Sequence, residues 1–359
     1  MTQAGPSPPA APGRRLVYLD YFRGVAILQI VILHAGRALF NQGFDAPIPD
    51  SHVAFATVDI LFHNATIYFT LISGIVYAYL FSTRDFVGFL RSRALNVAAP
   101  YLVVTAGLTL LIAGRAPGFD AATLAAAFFK NAVTGDAWNQ LWYIPVILIL
   151  YVMTPTLFAL VRAPRTLWVL LALAALPLVF SRTGTTVTAS TVLYFTGPYV
   201  LGLMIGADLD RWMAGLRRNA LALAALAAIA TAALYPLYFS GVDFAGPVSI
   251  RESLFYIQKL ALAGVTLVWL AGWEKRPARW RDTVVSYAAA TAFSIYFIHA
   301  PALRPIAQAL GRLIPEPPGL AALGLATLLA TVAALLVSWA VTIAAQKILG
   351  ARSRMLIGA

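Results

Sequence analysis

The chain of 359 residues has no cysteine, only four histidines, and just 11% Asp, Glu, Lys and Arg taken together. Each shortage excludes something. Without cysteine there is no disulfide, no thiolate metal site and no thioester acyl-enzyme formed on the protein. Four histidines without a His-x-x-His spacing are too few for a membrane oxidase, so no metal is expected. A soluble chain of this length carries about 25% charged residues, so most of this one belongs in lipid. The opening MTQAGPSPPAAPG also lacks the apolar bulk to pack, and residues 1–15 are read as a disordered cytoplasmic tail. It is not a signal peptide: the first apolar run follows Arg14 and Arg15, contains Arg23 and has no cleavage site after it.

What the chain has in quantity is apolar sequence. It is 60% hydrophobic, with a mean hydropathy of +0.79. Runs near the ~20 residues that span a bilayer occur at roughly 17–38, 54–81, 94–114, 141–161, 166–182, 192–207, 219–240, 253–273, 283–303 and 320–346. The expected fold is all-α: a polytopic transmembrane helical bundle of about ten spans, one domain over 16–350, with a short cytoplasmic tail over 351–359. The Ala/Leu-rich runs 219–234 and 320–345 look lipid-facing, and the loop 115–140 has room for a short interfacial helix or lid.

The net charge is +12. With the N-terminus in the cytoplasm, most of the 26 basic residues fall in cytoplasmic segments, Arg84, Arg91, Arg93, Arg162, Arg165, Arg217 and Arg218 among them. That asymmetry is the positive-inside rule, with both termini cytoplasmic and the protein multi-pass in the cell inner (cytoplasmic) membrane. The basic balance is topology, and no nucleic-acid partner is expected. Arg37, Arg182, Arg251 and Arg304 are counted with the outer segments.

Against this background the polar residues within spans stand out, because an ionisable group at mid-bilayer costs roughly 2.5–3.5 kcal/mol. The first run, YLDYFRGVAILQIVILHAG, carries Asp20, Arg23 and His34. Arg23 and His34 are eleven residues apart, three helical turns plus about 20°, so they share a face about 17 Å apart along the axis. Asp20, three residues before Arg23, can neutralise it. The second run places Asp59 and His63 at i,i+4 and runs inward, so both sit level with His34. The ninth puts His299 near its outer end. A histidine with a carboxylate partner is a general base toward a hydroxyl. Metal ligation by the same residues is the weaker alternative, on ligand count. Paired Arg91 and Arg93 suit a phosphate, and Asn139 and Trp142 could line a sugar-binding mouth, although belt aromatics and topology signals explain such residues too.

These elements together resemble the membrane acyltransferase-3 family. YLDYFRG…H matches its LDxxRG…H first helix through Arg23 and His34, and LFHNATIYFTLISG its FHMPLFFFISG pattern through His63, Phe69, Ser73 and Gly74. RSRALNVAAPY carries its R..R…PY element, LWYIPVILILY its LWFL…Y helix, and FSIYFIHAP its YxxYLxHxP element through Tyr296, His299 and Pro301. Asn64, Ala65 and Thr66 depart from the Met-Pro of the second helix, and Gln140 stands where a histidine is common. The resemblance implies O-acylation, usually acetylation, of a cell-envelope carbohydrate or glycolipid, with acetyl-coenzyme A or another acyl-coenzyme A as donor, in the stand-alone form of the family. On that reading His34 is the general base, oriented by Asp59 or another polar neighbour, and Arg23, held by Asp20, positions the donor or stabilises developing charge. Arg91 and Arg93 would take the donor phosphates, and His63, Asn139, Trp142, Tyr143, Tyr296 and His299 would face the acceptor. Direct transfer and an acyl-histidine relay both remain open. The alternative function is a transporter or flippase of an envelope glycolipid or polysaccharide, which would also use midplane charges.

Overall fold

In hydrocarbon every backbone N–H and C=O must find its partner within the chain, so the apolar runs become helices. The computed structural model describes residues 16–49, 51–81, 85–113, 120–182, 184, 186–274, 279–314 and 318–358. The expected tail over 1–15 and the side chain of Arg84 lie outside the described residues. α1 (Val17–Gln42) is followed by α2 (Val53–Phe62) and α3 (Thr66–Val76), which runs on through a π-helical turn at Tyr77–Phe81. Then come α4 (Phe86–Arg93), α5 (Ala99–Ala113), α6 (Ala121–Thr134), α7 (Tyr143–Arg162), α8 (Leu167–Ala175), α9 (Ala189–Ala207), α10 (Leu209–Arg218) and α11 (Ala220–Ser240). A two-residue hairpin, β1 (Phe244–Ala245) with β2 (Val248–Ser249), leads into α12 (Ile250–Glu274), α13 (Arg279–Ala290), α14 (Ala292–Gly311), α15 (Leu320–Leu349) and α16 (Ser353–Ile357).

Among the described residues eight helical segments are long and apolar enough to cross a membrane, or nine if a bent pair counts as one span. The protein is a multi-pass membrane bundle, and two of the ten expected runs are not single straight spans. The run at 166–182 gives only α8 and a 3₁₀ turn at Leu176–Leu178, because Pro177 has no N–H to extend the ladder. The run at 283–303 is bent by 78° at Thr291. The loop 115–140 contains α6, capped where Asp120 Oδ1 accepts from the Thr123 N–H at 2.7 Å.

α1 runs through the centre of the bundle, packed against α2, α3, α12, α13, α14 and α15. α3 and α9 approach closely because small residues face each other: a Cβ on Gly74 would lie 2.4 Å from the Tyr199 carbonyl oxygen, and one on Gly202 2.2 Å from that of Leu71. Such contact is how membrane helices gain dispersion energy where lipid supplies no hydrophobic drive. α11 turns Leu221, Leu226 and Ile229 outward, as its Ala/Leu composition suggests.

Candidate functional site

The span expected as one helix over 54–81 is broken at its polar point. α2 stops at Phe62 and α3 begins at Thr66, with Asn64 in the left-handed conformation at φ 59°. A non-glycine residue holds that conformation only when its surroundings fix it. Here the Asn64 side-chain amide donates to Glu252 Oε2 (2.8 Å) and to the Tyr194 hydroxyl (3.1 Å). The break frees carbonyls that a continuous helix would have bonded internally. α12 supplies replacements: Gln258 Nε2 donates to the Ile60 carbonyl (3.1 Å) and Lys259 Nζ to that of Leu61 (2.7 Å). Lys259, fully buried, therefore places its Nζ donors at the negative end of α2.

The break presents His63 to a set of charged groups. Arg37, three residues beyond His34, donates from Nε (2.9 Å) and Nη2 (2.5 Å) to Asp59 Oδ1, and the Tyr238 hydroxyl donates to Oδ2. Arg37 Nη2 also lies 3.0 Å from His63 Nδ1, and Arg182 Nη2 lies 2.9 Å from His63 Nε2. Arginine can only donate, and a neutral imidazole has one accepting nitrogen. The other nitrogen must therefore direct its proton to a carboxylate, either Asp59 Oδ1 at 3.5 Å or Glu252 Oε1 at 3.4 Å.

This network forms one wall of a cavity of about 820 Å³, whose lining includes His34, Arg37, His63, Asn64, Trp142, Arg182, Glu252 and Tyr296. That volume is within the range of small-ligand sites. Behind His34, across an edge-to-face contact with ring centroids 5.2 Å apart, lies His299. His299 is fully buried, and its Nδ1 is 2.7 Å from the Ile295 carbonyl. A carbonyl only accepts, so Nδ1 carries the proton and Nε2 holds a lone pair, which has no partner among the described residues.

The structure thus gathers His34, His63, Asn139, Trp142 and Tyr296 around one space, with Asp59 and His299 directly behind. Other expectations are corrected. Asp59 does not pair with His34; it is taken by Arg37 from α1, Tyr238 from α11 and His63 four residues on. Trp142 is no open platform for a sugar ring, since the Arg182 guanidinium sits 4.7 Å from its centroid and Phe195 packs at 5.5 Å. Tyr143 points away from the cavity, hydrogen-bonded to Thr70 Oγ1 at 3.0 Å, and lines a smaller pocket with Phe69, Ser73, Tyr151, Phe293 and Tyr296. Tyr296, whose hydroxyl donates to the Gln140 carbonyl, borders both spaces. Asp20 and Arg23 pair at 3.4 Å but line neither space. Arg91 and Arg93 form no joint clamp, because residues two apart on a helix point some 200° apart. Arg91 is exposed, whereas Arg93 lies over Phe81, Phe89 and Tyr151 at 5.0–5.5 Å.

Sequence reading missed Arg37, Arg182, Tyr238 and Glu252. The available signal was position: all four flank or enter the spans at the level of His34, and the arginines had been counted as loop charges. Among the described residues no three side chains of metal-binding type gather as ligands. A family model described as an acyltransferase domain matches residues 16–343. No curated protein and no solved structure matches the chain.

Proposed function

The chain belongs to the acyltransferase-3 family, and on that premise we propose that this multi-pass membrane protein moves an acyl group, acetyl in the simplest case, from acyl-coenzyme A to a hydroxyl of a cell-envelope carbohydrate or glycolipid. The observation that carries this reading is His34, partly buried on the wall of a polar cavity inside an apolar bundle, with a second histidine locked against it. His34 takes the acceptor's proton as the hydroxyl oxygen attacks the thioester carbonyl. The carbon–sulfur bond then breaks, and coenzyme A leaves as a thiolate that recovers a proton. Arg37 on the same wall favours the oxyanion that forms between those steps.

The asymmetry of basic residues supports placing α4 and the start of α1 on the cytoplasmic side of the inner membrane, with the cavity toward the outer side. The donor arm then follows the smaller pocket rather than Arg23. Tyr151 joins that pocket to Arg93, and Tyr296 joins it to the cavity. Two broken spans, at His63–Ala65 and at Thr291, favour a transporter as the second reading, since transporters bind substrates at such breaks. Release of coenzyme A by the purified protein, given acetyl-coenzyme A and crude envelope carbohydrate, separates the two. A transporter releases none.

A further inference from the structure

The charges around the large cavity do not all pair. Arg37 is taken up by Asp59, and Arg251 Nη2 by Asp243 Oδ2 at 2.8 Å. Glu252 is directed to Asn64 and His63. Arg182 forms an ion pair with no carboxylate among the described residues; its Nη2 meets only the neutral-capable nitrogen of His63, and its Nε is buried without any acceptor. Arg304 is exposed at the same cavity and has no partner among the described residues, and the exposed Asp136 also borders it. A guanidinium inside a membrane bundle whose nearest carboxylate, Glu252, lies across His63 rather than in direct contact is costly unless a ligand supplies a closer counter-charge. Trp142 adds to the argument. Its face holds the Arg182 guanidinium at 4.7 Å, a contact that uses the ring quadrupole and none of the five N–H donors; with Nη2 turned to His63 and Nε buried, Nη1 and the second Nη2 N–H remain for an anion.

We propose that Arg182, backed by Trp142 and assisted by Arg304, is an anion subsite for the acceptor, so that the hydroxyl acylated beside His34 belongs to a carbohydrate or glycolipid bearing a carboxylate or phosphate group. The subsite rests on the acyl-transfer reading and narrows its acceptor class. It also gives the wide, polar cavity a means of orientation: an anchored anion fixes which hydroxyl faces His34, as substrate clamps do in general.

The test uses the full-length protein in lipid nanodiscs, acetyl-coenzyme A, and a crude envelope carbohydrate fraction freed of existing esters by mild alkali. The fraction is supplied untreated, after carboxyl reduction with carbodiimide and borohydride, or after dephosphorylation with hydrofluoric acid. Coenzyme A release should fall at least tenfold with one of the two treated fractions, which names the anion as carboxylate or phosphate. Arg182→Gln should raise the acceptor KM by about tenfold to a hundredfold, the loss of a charge-assisted contact, while the KM for acetyl-coenzyme A stays the same. Arg304→Gln, on an exposed side chain that folding does not depend on, should raise it less and decides the matter if Arg182→Gln does not fold. Equal use of all three fractions, or an unchanged acceptor KM in the variants that fold, overturns the subsite and leaves acyl transfer standing. No coenzyme A release by the unaltered protein with the untreated fraction overturns the transfer reading and the subsite together.

Discussion

Arg37 closes two hydrogen bonds, from Nε at 2.9 Å and Nη2 at 2.5 Å, on a single oxygen of Asp59, joining α1 to α2 across 22 residues of sequence. The carboxylate is buried and the guanidinium reaches into the cavity. Removing one partner of such a pair leaves an uncompensated charge in a low-dielectric interior. Arg37→Ala should therefore cost up to about 3–5 kcal/mol and lower the melting temperature of the detergent-solubilised protein by light-scattering or fluorescence melts. Arg37→Gln combined with Asp59→Asn should recover much of that stability. A double variant no more stable than Arg37→Ala would show that the pair is not what holds α1 to α2.

The close approach of α3 and α9 makes a second, purely steric case. A Cβ at residue 202 would meet the Leu71 carbonyl at 2.2 Å, and backbone cannot swing aside as a side-chain tip can. Gly202→Ala should destabilise the bundle by about 1–3 kcal/mol, the range for overpacking a close-packed interior, read as a lower melting temperature or loss of monodisperse protein on size exclusion. An unchanged melt would mean that the two helices part without penalty.

Lys259 carries a prediction linking local structure to the site. Its Nζ bonds the Leu61 carbonyl at 2.7 Å, two residues before His63, and holds the end of α2 where the span breaks. Lys259→Met keeps the volume and apolar stem but leaves that carbonyl without a donor. The loss should be about 1–3 kcal/mol, with His63 no longer held between Arg37 and Arg182. Acyl transfer should therefore fall further than stability does. Full activity in a folded Lys259→Met protein would reduce the lysine to a packing residue.

How much of this was legible beforehand follows from the range of each interaction. The eleven-residue spacing of Arg23 and His34 is a property of one helix, so the shared depth of His34, His63 and His299 could be read from the spans that carry them. The break at His63–Ala65 could not. No proline or glycine marks it; Asn64 is held by Glu252 and Tyr194, more than a hundred residues away. For the same reason Asp59 could be placed beside His63 but not assigned to Arg37, which lies within the run 17–38 yet was counted with the outer segments. The run at 166–182 had the composition of a span, and only Pro177 signalled that it would end short. Arg182 and Arg304 were counted as loop charges because hydropathy records depth and does not record which way an interhelical loop folds into a cavity.

The last prediction concerns His34 and His299, which meet edge to face at 5.2 Å. His34→Ala removes no buried charge and faces an existing cavity, so the protein should insert, fold and bind acyl-coenzyme A normally. Transfer should fall by the roughly 10²–10⁴-fold that loss of a general base brings. His299 touches His34 and does not line the cavity. Its Nδ1 is committed to Ile295, and its buried Nε2 lone pair has no partner among the described residues. His299→Phe preserves the ring contact and discards the lone pair, so it separates packing from proton handling. If the lone pair helps hold His34 in its accepting form, His299→Phe should depress kcat, leave both KM values alone and displace the alkaline-side plateau of the pH–rate profile. If the ring only packs, kcat and the profile stay as they were. Normal transfer by a folded His34→Ala protein, measured as coenzyme A release, would remove the general base from its assigned place on α1.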